Sequence, residues 1–300
     1  MKNFEQALEL ARSKGRKTVS VACAQDRDVL LAVDKAREAG IVDAILVGDE
    51  KKIREIAAAN SVDLNNYRVV DREDLTEAAR EAVRLVSSGE AHMLMKGLVD
   101  TSIVLKAVLD KEIGLRGDSI LSHVAVFEIE GWDRLFYVTD AAMNIAPNLD
   151  AKKKIIENAV KVARSLEVET PKVACLCAKE KVNEKMPDTV DAKALEDMNK
   201  NGELKDCLVG GPFALDNAIS EEAAKHKGMD HPVAGRADIL MTGDIEAGNV
   251  LYKSMAFFAK SKNAGIIVGA RKPIILTSRA DNEEAKLNSI ILGSLTADKL

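Results

Sequence analysis

Residues 17–97 decide the fold: KTVSVACA (17–24) then DRDVLLAVDKAREAG (26–40), DAILVG (43–48) then DEKKIREIAAAN (49–60), YRVVD (67–71) then EDLTEAAREAVRLVSSG (73–89), and AHMLMKG (91–97) before a helix from about Thr101. Each short run rich in β-branched and aliphatic residues precedes a longer stretch, 12 to 17 residues in the three quoted in full, with helical periodicity. Strands that alternate with helices in this way form parallel β-α units within one sheet, so the chain reads as α/β.

Working outward, the same pattern returns at the other end. In GIIVGARKPIILTSRADNEEAK (265–286), Ile274, Ile275 and Leu276 form an apolar run that delivers Ser278, Arg279 and Asp281 to the start of a helix. In an open parallel sheet, ligands bind at strand exits, where unpaired N–H groups and the positive helix end favour an anion. An arginine fork there suits phosphate, and a serine can donate to a developing oxyanion. The bland alternative is that Thr277 or Ser278 caps the helix and Arg279 is solvated.

A second strand exit with chemistry is MLMKGLVDTS (93–102), where Lys96 and Gly97 end a strand and Asp100, Thr101 and Ser102 open a helix. Gly97 permits close backbone approach to an anion, and Asp100 reads most simply as an N-cap. The lysine precedes the glycine and the second glycine is missing, so this is no nucleotide-triphosphate loop.

Between these ends, LSHVAVFEIEGWDRLFYVTDAAMNIAP (121–147) reads as a β-hairpin, an arm or edge suited to a dimer contact, with His123 among apolar neighbours. Asp140 and Asn144 fall at its exit. Lys152, Lys153 and Lys154 read as a solvated helix face. Further units follow from 172 onward; the last sets Asp244, Glu246 and Asn249 where a strand becomes a helix. These groups suit helix capping and bonds to an organic ligand better than a divalent cation, which needs more convergent oxygens.

Composition excludes several classes. Forty-three basic and 48 acidic residues give a net charge of −5 with no basic face, and six Phe, three Tyr and one Trp supply no stacking platform, so nucleic acid is not expected as a partner. No apolar run approaches the ~20 residues that span a bilayer. The opening MKNFEQALELARSKGRK is amphipathic and carries acids, so no leader and a cytoplasmic location are expected. Cys23, Cys175, Cys177 and Cys207 read as buried free thiols, and no metal site is expected.

Six stretches carry a resemblance: MKGLVDTS (95–102), LSHVAVFE (121–128), TDAAMNIAPNLDAKKKI (139–155), GPFALDNAIS (211–220), PVAGRADILMTGDIEAGNVLYKSM (232–255) and KPIILTSRAD (272–281). In this order they resemble the phosphate acyltransferases that interconvert acyl-CoA and acyl phosphate, the butyryltransferase branch more than the acetyltransferase one. The resemblance implies a two-domain, three-layer α/β/α fold similar to the isocitrate and isopropylmalate dehydrogenases. Residues 1–140 with 285–300 are expected as the first domain and 141–284 as the second, with the active site in a cleft between them.

It also implies a homodimer or higher homo-oligomer, no tightly bound cofactor, coenzyme A as substrate, and direct acyl transfer between CoA and inorganic phosphate. Ser278, Arg279 and Asp281 are the expected catalytic residues; Lys96, Thr101, Ser102, Asn144, Asp244 and Asn249 are the expected substrate contacts. The acetyltransferase branch places an aspartate seven residues after the serine, where this chain has Ala285. Asp281, Glu283 and Glu284 are the alternative bases. A family arginine before the hairpin has only Arg116 nearby. Competing readings are a phosphate acetyltransferase, a non-catalytic acyl-CoA or phosphate sensor, and a metal-dependent β-decarboxylating dehydrogenase.

Overall fold

A computed structural model describes residues 1–277 and 281–299. In chain order the elements begin α1 (Phe4–Ser13), β1 (Lys17–Ala22), α2 (Arg27–Glu38), β2 (Val42–Gly48), α3 (Glu50–Ala59), β3 (Arg68–Asp71), α4 (Leu75–Ser87), β4 (Met93–Lys96) and α5 (Thr101–Val108). They continue with β5 (Ser122–Glu128), β6 (Phe136–Thr139), α6 (Leu149–Ser165), β7 (Lys172–Leu176), α7 (Pro187–Lys200), β8 (Leu208–Phe213), α8 (Leu215–Ile219), α9 (Glu221–His226), β9 (Ile239–Met241) and α10 (Ile245–Lys253). The last are β10 (Lys262–Val268), β11 (Ile274–Ile275) and α11 (Glu283–Thr296). The α/β class expected from the alternation is the one found.

Two compact units divide the chain. One, the split unit, joins Phe4–Ser119 to Asn263–Leu300; the other, the middle unit, joins Met1–Asn3 to Ile120–Lys262. The strands of the split unit run in the order β3-β2-β1-β4-β11-β10. From β1 the chain winds outward through β2 and β3, then crosses to β4 on the other side, so β1 and β4 flank a point where the winding reverses. Such a crevice is the usual ligand position in an open α/β sheet. The middle unit has the order β5-β6-β9-β7-β8, with β5 and β6 antiparallel and β6, β9, β7 and β8 parallel.

These bounds differ from those expected at 140/141 and 284/285. The hairpin β5–β6 belongs to the middle unit because β6 pairs with β9, and because Ala125, Phe127, Phe136 and Val138 share one core with Ala174, Phe213 and Leu240. The hairpin is therefore no projecting arm: every residue of β6, and all of β5 but its last, is buried. The strands of 263–284 belong to the split unit because β11 pairs in parallel with β4. Helix starts are closed by side chains, with Asp26, Asp49, Asp74 and Asn148 each accepting from an amide two or three residues on. Among the described residues no helix is long and apolar enough to cross a membrane.

Candidate active site

In the split unit β1, β4 and β11 are mutually parallel, so their carboxyl ends share one edge. β1 runs into Cys23, which is held at φ 56°, and its carbonyl accepts from Leu98 N at 2.8 Å while Ala22 O accepts from Gly97 N at 2.8 Å. A Cβ at position 97 would fall on the Cys23 carbonyl oxygen, so only glycine fits where β4 turns away. Burial pushes the Cys23 thiol up to about 11, against the pull of Lys96 and with a smaller push from Asp74. Lys96 is itself buried, and its Nζ donates to Gly97 O at 3.2 Å.

Asp100 occupies the N-cap position of α5, as read from the sequence, but its side chain makes no capping hydrogen bond. The first amides of α5, beside Thr101 and Ser102, are therefore not closed by the residue that would ordinarily close them. Next to β4, the segment leaving β11 passes through buried Thr277 toward Ser278 and Arg279, both of which lie outside the described residues. The chain resumes at Asp281. The cap of α11 is neither Thr277 nor Asp281 but Asn282, whose Oδ1 accepts from Ala285 N at 2.9 Å. Lys286 Nζ donates back to the Asp281 carbonyl.

In the middle unit Asp140, buried at the exit of β6, accepts from Ala142 N at 2.9 Å and Met143 N at 3.0 Å. Asn144 Nδ2 donates to Asp140 Oδ2 at 2.6 Å and Leu121 O at 2.9 Å. Asp244 N-caps α10 through Ala247 N at 2.8 Å. α10 packs on the β6 exit so closely that a Cβ on Gly248 would strike the Asp140 carbonyl, and Asn249 Nδ2 donates to Ala141 O at 3.2 Å. Asn144 and Asn249 are thus both held at the β6 exit, one against Asp140 and the other against Ala141, while Asp244 uses Oδ1 for its cap. His123 is buried, edge-to-face with Tyr252 at 5.9 Å.

Two lysines with structural consequence are missed by sequence reasoning. Lys152 is buried rather than solvated, with its Nζ 2.7 Å from both Asp188 and Asp191. The signal was available: Lys152, Ile155, Ile156 and Ala159 recur at helical spacing and all face inward. This cluster lines the crevice between β7 and β9, where the winding of the middle unit reverses, and a Cβ on Gly243 would lie 2.5 Å from Asp188 Cγ. Lys286 likewise shares the buried face of α11 with Ile290 and Gly293. Among the described residues no group of three or more His, Cys, Asp or Glu is placed to hold a metal ion. All four cysteines are free; Cys23, Cys175 and Cys207 are buried and Cys177 half-buried.

The family described as phosphate acetyl/butaryl transferase matches residues 3–83 and 71–294. The chain is 52% identical to the phosphate butyryltransferase of Clostridium beijerinckii, over 99% of this chain and 98% of that one. It is 45% identical to the phosphate acetyltransferase of Thermotoga maritima, over 98% and 99%. The crystal structure of a branched-chain phosphotransacylase from Enterococcus faecalis superposes with a TM-score of 0.84 at 37% identity, covering 95% of this chain and all of that one. A 4-hydroxythreonine-4-phosphate dehydrogenase from Klebsiella pneumoniae shares the fold, with a TM-score of 0.51 at 14% identity over 94% and 99%.

Proposed function

The chain belongs to the phosphate acetyl/butyryltransferase family, and from that premise we propose that it moves a short acyl group, butyryl before acetyl, between coenzyme A and inorganic phosphate. The observation that carries the reading is the parallel pairing of β4 with β11. It sends Lys96-Gly97 and, through Ile274 and Ile275, Thr277 out of one sheet edge, beside the start of α5, where Asp100 makes no side-chain cap and where charge and N–H donors suit a phosphate.

In phosphorolysis a phosphate oxygen attacks the thioester carbonyl, a tetrahedral oxyanion forms, and the C–S bond breaks to release the CoA thiolate. Arg279, Lys96, Thr101 and Ser102 orient the phosphate. Ser278 donates to the oxyanion, a contribution on the order of 3 kcal/mol for one preorganised donor. In the reverse direction Asp281, at the position nearest the serine and arginine that still carries a carboxylate, takes the proton of the CoA thiol, because Ala285 cannot. Asn144, Asp244 and Asn249 bind the organic portion of the substrate. The acyl group passes directly between the two substrates, with no acyl-enzyme and no tightly bound cofactor. The enzyme works in the cytoplasm as a homodimer or higher homo-oligomer, on acyl-CoA, phosphate and acyl phosphate, and binds neither nucleic acid nor membrane.

The deciding experiment is thiol release from a ladder of acetyl-, propionyl-, butyryl- and hexanoyl-CoA, with and without phosphate. Phosphate-dependent release greatest with butyryl-CoA is expected. A maximum at acetyl-CoA would move the chain to the acetyltransferase activity, and binding without release of any thiol would make it a sensor.

A further inference from the structure

The first turn of α11 contains an electrostatic oddity. Lys286 is 4% exposed, and its ammonium donates to the Asp281 carbonyl, yet among the described residues no carboxylate oxygen lies within 4 Å of it. The nearest acid on the same turn with a described partner, Glu283, is directed to Lys35 at 2.5 Å. A buried ammonium usually carries a counter-charge, because leaving water is costly for an ion that finds no opposite charge. A lysine at the start of a helix also faces the positive end of the macrodipole, which makes a nearby anion more favourable still.

Its height in the unit follows from packing. Gly293 of α11 lies against Ile275 of β11 and Met93 of β4. Lys286 precedes Gly293 by seven residues, about 10 Å of helix. Lys96 follows Met93 by three residues, about 10 Å of strand. With α11 following β11 and Gly293 seated on Ile275 and Met93, two buried lysines stand toward the carboxyl edge of β4 and β11, the end at which Thr277 leaves β11.

We propose that Lys286 is an anion-binding residue whose missing counter-charge is a phosphate group of the substrate, either inorganic phosphate or a phosphate of coenzyme A. This deepens the transferase reading and rests on it for the substrate's identity. The bond to the Asp281 carbonyl aims the ammonium, and two of its three donors remain for the phosphate oxygens. Where an arginine would clamp by its planar fork, a lysine contributes as a point charge.

The test compares the wild-type chain with Lys286→Met and Lys286→Arg, each by urea unfolding without anion and by calorimetric titration with inorganic phosphate, CoA and 3′-dephospho-CoA. Lys286→Met is expected to keep or raise the unfolding midpoint without anion and to weaken phosphate at least tenfold, with Lys286→Arg recovering part of the loss. Weakening confined to CoA, and absent with 3′-dephospho-CoA, assigns the counter-charge to the 3′-phosphate instead. A lower midpoint for Lys286→Met with unchanged phosphate and CoA affinity would overturn the proposal, leaving the ammonium as a brace for the Asp281 carbonyl. So would a wild-type chain that binds none of the three. Because binding is read without turnover, a chain that binds phosphate through Lys286 yet releases no thiol from acyl-CoA would sink the transferase reading alone.

Discussion

Lys152 in the middle unit and Lys286 in the split unit are equally hidden, at 5% and 4% exposure, each on the inward face of a long helix and each at the carboxyl edge of its unit's sheet. They differ in company. Lys152 sits between Asp188 and Asp191, and the three side chains line the crevice between β7 and β9. Lys286 has a backbone carbonyl and no described carboxylate. The contrast teaches what burial of a charge signifies in this fold: compensated from within, it fixes the scaffold, and left uncompensated, it is reserved for a ligand.

The comparison breaks most visibly at Lys152. Lys152→Met leaves two partly exposed carboxylates without their cation, so unfolding in urea should show a loss on the order of 2 kcal/mol, less than for a fully buried pair. Adding Asp188→Asn and Asp191→Asn should return most of it, because the charges then vanish together. A loss below about 1 kcal/mol in the single variant would mean that the cluster relaxes into solvent and that the two lysines are not different in kind.

Arg279→Lys sharpens the other side. It keeps the charge at the phosphate but loses the paired fork, so kcat/KM for phosphate should fall tenfold or more, about 1.4 kcal/mol of transition-state stabilisation, with no change in the unfolding midpoint. Unchanged phosphate saturation would remove Arg279 from the site.

The smallest effect is in alkali. Burial pulls the Lys152 pKa down, but the carboxylates of Asp188 and Asp191 outweigh it and the value is raised. A raised lysine stabilises fully below its unfolded value, about 10.4, and the contribution is lost as pH rises through the folded value. The stability gap between wild type and Lys152→Met should therefore hold from neutral pH to about 10 and narrow above it. A gap that already narrows near pH 8 would contradict the pairing.

Much of this was legible in the chain itself, and the parts that were not share physical causes. The α/β class is written in the 2.0 and 3.6 periodicities of residues 17–97, because parallel strands buried on both faces must be apolar throughout. The unit boundaries are not, since they depend on which strand pairs with which: β11 is two residues long, and only its pairing with β4 assigns Ile274 and Ile275 to the same unit as Lys96. The MKGLVDTS motif marked a strand exit, with β4 ending at Lys96 and α5 opening at Thr101, whereas Ser278 and Arg279 of TSRAD lie outside the described residues. Asp100 had the right position for a cap but not the bond, because side-chain rotamers are chosen by neighbours that the local sequence does not contain. Lys152 was hidden inside a run of three lysines, where charge suggested solvent and only register revealed the buried face.

One consequence of the strand order concerns how the chain is made. β4 ends at Lys96, and the strand that must lie beside it, β11, begins at Ile274. A ribosome therefore completes the entire middle unit before it supplies an inner strand of the split unit. The residues of the middle unit are all made once Lys262 is reached, so its own core can begin to form while synthesis continues. The split unit has to keep the flank of β4 open meanwhile, an edge of buried Met93, Leu94 and Met95. The sequence that carries Ser278 and Arg279 arrives with the strand that closes it. On the proposed reading the phosphate site is thus assembled last, and a nascent chain should be inert and vulnerable to misassembly until then.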